Sequence, residues 1–219
     1  VTREDVAYGM ARFVVGLGKK VMLANVLGEV CKIYRETDES SVLFTWLYLI
    51  SYALHIYFDF SGYSDMAIGL GRMFGFHFLE NFNYPYVSRS VTEFWRRWHM
   101  SLGSFFRDYV YIPLGGNRRH QLFNLLIVWF LTGFWHGASW NFVFWGLYYG
   151  GILLLEKFVL KDILAKLPKA LTTAGTIFLV VIGWVFFFSP SLGSAFVWIA
   201  RMFGIGAHGF LDATAKYYL

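Results

Sequence analysis

The chain has one cysteine in 219 residues, Cys31, so no intrachain disulfide framework is available to it. Proline is scarce, at 4 residues, and only 15% of positions carry Asp, Glu, Lys or Arg, against about 25% in soluble domains. No GxGxxG or Walker lysine string is present, which leaves no case for a nucleotide fold. No serine or cysteine stands in a nucleophile motif such as GxSxG. None of the six histidines (55, 77, 99, 120, 136 and 208) pairs with another at i, i+4, and Cys31 is distant, so no metal site is expected. The excess of positive charge lacks an extended basic soluble face, which argues against nucleic-acid binding. With 57% apolar and 21% aromatic residues, the chain is not disordered either.

What the chain does have is long uncharged runs. Residues 40–58, 120–155 and 170–200 hold no Asp, Glu, Lys or Arg. About 20 largely apolar residues suffice to cross a hydrocarbon core of about 30 Å. The expected fold is therefore an all-α, polytopic membrane bundle with short, re-entrant and interfacial helices, forming one membrane-embedded region over residues 1–219. A start at Val1 without Met and an end just after Tyr217–Tyr218 suggest a central and C-terminal piece of something longer, with N-terminal spans missing.

Residues 1–39 place Arg3, Arg12, Lys19, Lys20, Lys32 and Arg35 around apolar patches and read as a basic, interfacial segment. Residues 41–58 form the first span. The stretch 59–82 mixes Gly62, Gly69, Gly71 and Gly75 with Asp59, Asp65 and Arg72; such glycines permit close helix packing, and the charges among them must face a bundle interior, a cavity or the interface. Asp59, Asp65, Asp108 and Glu93 are read as structural partners of the arginines. Residues 92–111 read as one amphipathic helix, capped by Thr92, with Trp95, His99, Leu102 and Phe106 on one face. The run 120–155 would measure about 54 Å as a single helix, too long for one crossing. Gly133, Gly137 and Ser139 interrupt it, and Arg118–Arg119 and Lys157–Lys161 flank it. Two helices going in and back, bending near residue 137, satisfy both facts. A further span covers 170–189 and a short helix 192–206.

That bend makes His136 the leading candidate for chemistry, since an ionisable group at membrane depth is functional by default. Trp135 and Trp140 can wall a pocket around it, and Ser139 and Asn141 can bond its ring or a substrate. His99 is the second candidate: Arg96, Arg97 and Arg107 beside it would lower an imidazole pKa and attract anions. A neutral imidazole is what general-base help to a hydroxyl requires.

Several strings fall in a recognisable order: Phe58–Asp59–Phe60–Ser61–Gly62–Tyr63–Ser64–Asp65, Asn81–Phe82–Asn83–Tyr84–Pro85–Tyr86, Phe94–Trp95–Arg96–Arg97–Trp98–His99, Ile112–Pro113–Leu114–Gly115–Gly116–Asn117 and Trp135–His136–Gly137. Together they resemble the membrane-bound O-acyltransferase family, and within it the bacterial alginate O-acetylation branch. The resemblance implies a multi-pass enzyme of the bacterial cytoplasmic membrane. It would move an acetyl group from a cytoplasmic donor, acetyl-coenzyme A, toward an extracytoplasmic polysaccharide, with no bound cofactor and with an extracytoplasmic partner protein finishing the transfer. It implies His136 as the essential residue and His99 as the second. The residue reading adds Arg96, Arg97, Trp135 and Asn141 as candidate substrate contacts, with Arg96, Arg97 or Lys19 meeting the donor's phosphates. D-alanyl transfer to teichoic acid is the alternative within the enzyme class, and a transporter or channel the alternative outside it.

Overall fold

A computed structural model describes residues 1–36 and 41–211; Glu39 and the Tyr217–Tyr218 terminus lie outside the described residues. It is all-α, with no strand among the described residues. Three stretches are long and apolar enough to cross a membrane, Val42–Met73, Trp140–Lys166 and Lys169–Phe188. Contacts divide the chain into two units: Val1–Asn81 together with the stretch from Val197, and Phe82–Phe196.

In the first unit, α1 (Arg3–Gly18) starts at a reciprocal cap: Asp5 N donates to Thr2 Oγ1 at 3.1 Å and Thr2 N to Asp5 Oδ2 at 2.9 Å. The helix passes through a π-helical segment (Lys19–Ala24) into α2 (Asn25–Glu36) without leaving helical geometry. The basic segment thus forms one long helical run. The span read as ending at residue 58 continues as α3 (Val42–Met73), 32 residues or about 48 Å.

α3 survives its charged half because α1 and the π-helical segment after it supply partners for it. Asp65 accepts from Arg12 Nε at 2.9 Å and Lys19 Nζ at 2.6 Å, and Lys20 binds Asp59. The glycines let the two backbones approach closely enough for these pairs. Gly9 lies against the carbonyl of Gly69, Gly16 against that of Gly62, and each relation is reciprocal; an added Cβ would sit 2.5–2.8 Å from the facing oxygen. Both pairs are spaced seven apart, two helical turns, so one α1 face meets one α3 face.

This ladder yields a graded expectation. The Asp65 side chain is 8% exposed and meets two cations that are themselves mostly covered. Asp65→Ala should cost about 3 kcal/mol, because it leaves the largely covered Lys19 without its carboxylate and Arg12 with that of Glu80 alone. Asp59 and Lys20 are about 40% exposed, so Asp59→Ala should cost under about 1 kcal/mol. Detergent-titrated unfolding of the two variants checks the order; equal losses would show that burial does not set the scale.

The second unit begins with a short 3-10 turn (Pro85–Val87), then α4 (Val91–Arg97), α5 (Met100–Phe106) and a π-helical segment (Arg107–Tyr111). The single amphipathic helix expected over 92–111 is therefore broken, and its cap is Ser90, not Thr92. Trp98 leaves the helix in extended conformation and packs against Phe82, Phe94 and Trp184, with ring centroids 5.0–5.5 Å away. Burying this indole outweighs helix continuity. His99 follows in the left-handed region, φ +47° and ψ +53°, which histidine tolerates better than most side chains.

The reading of 120–155 as two helices with a bend near residue 137 holds. α6 (Gln121–His136) and α7 (Trp140–Leu155) pack against each other across a break at 137–139. α7 continues through a π-helical segment (Glu156–Leu160) into α8 (Lys161–Lys166), followed by α9 (Lys169–Phe188) and α10 (Leu192–Met202).

Candidate active site

His136 is the last residue of α6, and Gly137 at φ 159° and ψ 150° turns the chain out of the helix. Ser139 N donates to Gly137 O at 2.8 Å and Phe142 N to Ser139 O at 3.1 Å, which starts α7 at once. The imidazole sits among rings: Trp135 at 4.7 Å, Trp145 and Phe187 at 5.0 Å, both near perpendicular, and Phe142 at 6.2 Å. The walls differ from the sequence expectation. Trp140 is 78% exposed and turns away, while Trp145 from α7 and Phe187 from α9 enclose the ring.

Asn141, expected at the substrate, is buried, and its amide is taken up by packing. Its Nδ2 donates to Ser189 O at 3.0 Å and Phe186 O at 3.4 Å, and its Oδ1 accepts from Ser139 Oγ. This ties the start of α7 to the end of α9, and so places Phe187 beside His136.

His99 comes to the same place from α4 and α5. Its ring lies 6.1 Å from that of Trp135, so both histidines border the same tryptophan. Ser101 Oγ is 3.3 Å from His99 Nδ1. Burial pushes the His99 imidazole below its ordinary 6.5, keeping it neutral at physiological pH. The sequence reading attributed such a shift to the neighbouring arginines; desolvation is its cause.

Trp95, His99, Leu102 and Phe106 line a cavity of about 1020 Å³ within this unit. The broken helix thus keeps the four residues together, though on two short helices and a kink rather than one face. Arg89, Arg96, Arg107, Lys157, Lys161 and Lys169 also line the cavity. Its size is at the upper end of small-molecule sites, about 300–1,000 Å³. Arg96 is exposed and belongs to this lining. Arg97 does not: its guanidinium pairs with Glu93 at 2.8 Å and donates to Asn83 O at 3.2 Å, pinning the end of α4. Lys19 is engaged by Asp65 in the first unit. The carboxylates read as partners do pair, Asp108 with Arg107 and Glu93 with Arg97.

Two features went unread in the sequence. Trp145 and Phe187 are apolar residues on apolar helices, so no local signal marks them. Glu156 closes the longest uncharged run, and a carboxylate at the end of such a run is a signal in itself. It is buried and also lines the cavity.

A helical membrane protein with two histidines drawn around one tryptophan, beside a large cation-lined cavity, is the class of molecule this geometry defines. The chain belongs to the membrane-bound O-acyltransferase family, whose profile matches residues 2–198. It is 44% identical over 94% of its length to the probable alginate O-acetylase AlgI of Azotobacter vinelandii, covering 42% of that protein. It is 38% identical over 92% of its length to the peptidoglycan O-acetyltransferase of Helicobacter pylori, covering 40% of it. Over 56% of its length it is 33% identical to the teichoic acid D-alanyltransferase of Bacillus subtilis, covering 33% of that protein. The chain thus spans about two fifths of the length of the first two relatives.

Proposed function

We propose that this chain carries the catalytic part of a membrane O-acetyltransferase, which moves an acetyl group from a cytoplasmic thioester, acetyl-coenzyme A, to a hydroxyl of an extracytoplasmic polysaccharide. The observation that carries the reading is the convergence of His99 and His136 on Trp135, with His99 also lining the cation-lined cavity. In this scheme the donor's phosphates lie among Arg96, Arg107, Lys157 and Lys161, with the pantetheine arm directed toward His99. His136 takes the proton of the acceptor hydroxyl, whose oxygen attacks the thioester carbonyl carbon. His99 orients the acyl group and stabilises the developing oxyanion. Collapse expels the thiolate, which takes up a proton, and leaves the O-acetyl ester.

The similarity to acetylases of alginate and peptidoglycan over nearly the whole chain supports acetyl as the group, and a cell-surface polymer as the acceptor. An extracytoplasmic partner protein would deliver the group to that polymer, and the enzyme would reside in the bacterial cytoplasmic membrane. D-alanyl transfer is the second reading, on the shorter similarity to the teichoic acid enzyme.

The deciding experiment uses the full-length protein in membranes with its extracytoplasmic partner and acetyl-labelled coenzyme A. Label is expected in extracytoplasmic polymer. If label stays in the donor while an activated D-alanyl donor is consumed, the second reading replaces the first.

A further inference from the structure

α4 has seven residues, too few to persist as a helix in isolation, yet it carries Trp95 and Arg96 and delivers the chain to His99. The amides of its first three residues have no partner inside the helix. All three are met by side chains. Glu93 N donates to Ser90 Oγ at 3.0 Å, while Phe94 N makes the first backbone bond of the helix, to Ser90 O at 2.9 Å. The other two go to one distant side chain. Val91 N donates to Glu156 Oε1 at 2.6 Å and Thr92 N to Glu156 Oε2 at 2.8 Å, and the Thr92 hydroxyl adds a third bond to Oε2 at 2.6 Å.

The chemistry selects a carboxylate at this point. All three groups that meet Glu156 are donors, so an acceptor-only side chain satisfies them, whereas a glutamine would turn an NH2 toward one of them. The amino end of a helix also favours negative charge. Glu156 is 8% exposed and opens the π-helical segment that follows α7. One helix therefore holds both halves of the site. At its start Asn141 secures the turn that follows His136, and just past its end Glu156 holds the helix that leads to His99.

We propose that Glu156 is a positioning residue, clamping the first turn of α4 so that His99 is held in place at the cavity, without itself touching the transferred acyl group. The proposal rests on the acyl-transfer reading for its kinetic consequence, while its structural consequence stands apart from that reading. A displacement of about 1 Å at a reacting group can cost about a hundredfold in rate, which sets the expected scale.

The test uses the full-length protein in lipid nanodiscs, with Glu156→Ala, Glu156→Gln and the near-isosteric Thr92→Val. Carbethoxylation of each histidine by diethyl pyrocarbonate is followed by peptide mass spectrometry, alongside acetyl-transfer kinetics. In Glu156→Ala, His99 should react about tenfold faster as α4 opens locally, while His55 in the other unit keeps its wild-type rate. For the same variant kcat should fall about a hundredfold with the donor KM changed less than about twofold. Glu156→Gln and Thr92→Val should move both readouts in the same direction by less. If Glu156→Ala does not accumulate, those two milder variants decide. A raised donor KM with kcat intact would make Glu156 a donor contact and overturn the proposal, as would unchanged His99 labelling. If wild-type protein transfers no acetyl, the acyl-transfer reading fails, and the His99 labelling rates still decide the role of Glu156.

Discussion

Replacing His136 with alanine should reduce acetyl transfer by about 10²–10⁴, the range that a positioned general base supplies. Donor affinity should survive, because His136 is absent from the lining of the cation-lined cavity while His99, Arg96 and Arg107 belong to it. The protein should still accumulate in the membrane, since Trp145, Phe187 and Phe142 pack against one another as well as against the imidazole. The comparison variant is His208→Ala, an exposed histidine, which should transfer at the wild-type rate. Initial rates with labelled donor in the same membranes give the answer. Near-normal transfer by His136→Ala would remove this histidine from the mechanism, whatever the behaviour of His99.

The largest structural effect should come from Gly146→Ala. A Cβ at this position would collide with the Trp129 carbonyl and approach Gly133 N to 3.1 Å; at Gly133 it would collide with the Phe142 carbonyl. These are backbone atoms of the facing helix, so no side chain can rotate aside. α6 and α7 would have to separate, and overpacking of this kind costs about 3 kcal/mol at its upper end. Because His136 ends α6 and Trp145 precedes Gly146, separation would also open the wall of the imidazole pocket and depress transfer. Gly151→Ala on the same helix is the internal reference. Nothing stands within 4 Å of its would-be Cβ, and alanine in a helix interior gains about 0.5–1 kcal/mol over glycine. Detergent-titrated unfolding should therefore shift in opposite directions for the two variants. If Gly146→Ala unfolds like Gly151→Ala, the helix pair is not held by this contact.

The two predictions lie on different links between sequence and function. His136 was legible because its chemistry and its setting coincide: an ionisable residue beside a glycine, in the middle of an uncharged run too long for one crossing. The tight packing of α6 on α7 was legible only in part. Gly133 stood out as an interruption, whereas its contact with the Phe142 carbonyl depends on the angle at which the helices meet. In the first unit the glycine density of 59–82 did announce close packing; Asp65 found the expected arginine, Arg12, together with Lys19, while Asp59 is met by Lys20 where an arginine was expected, and the reciprocal pairs Gly9–Gly69 and Gly16–Gly62 required both helices to be in place.

The amphipathic stretch 92–111 shows how a local rule can fail while its consequence survives. Helical periodicity grouped Trp95, His99, Leu102 and Phe106, and all four line one cavity. The helix that was to group them breaks at Trp98, whose indole packs against rings of residues 82, 94 and 184. Propensity is a preference of fractions of a kcal/mol per residue, and burial of an aromatic ring exceeds it.

By itself the sequence determined the all-α membrane class and the turn near residue 137, and it singled out the two histidines as candidates, because uncharged length, glycine spacing and isolated ionisable residues are local properties. Only the tertiary structure decided that Asn141 anchors a helix end, that Arg97 is a clamp while Arg96 lines the cavity, and that Glu156 caps a helix 64 residues away in the chain. Each of these turns on which polar atoms meet after the helices have packed. A buried donor or acceptor must find its partner in space, and its neighbours in sequence do not say where that partner will come from.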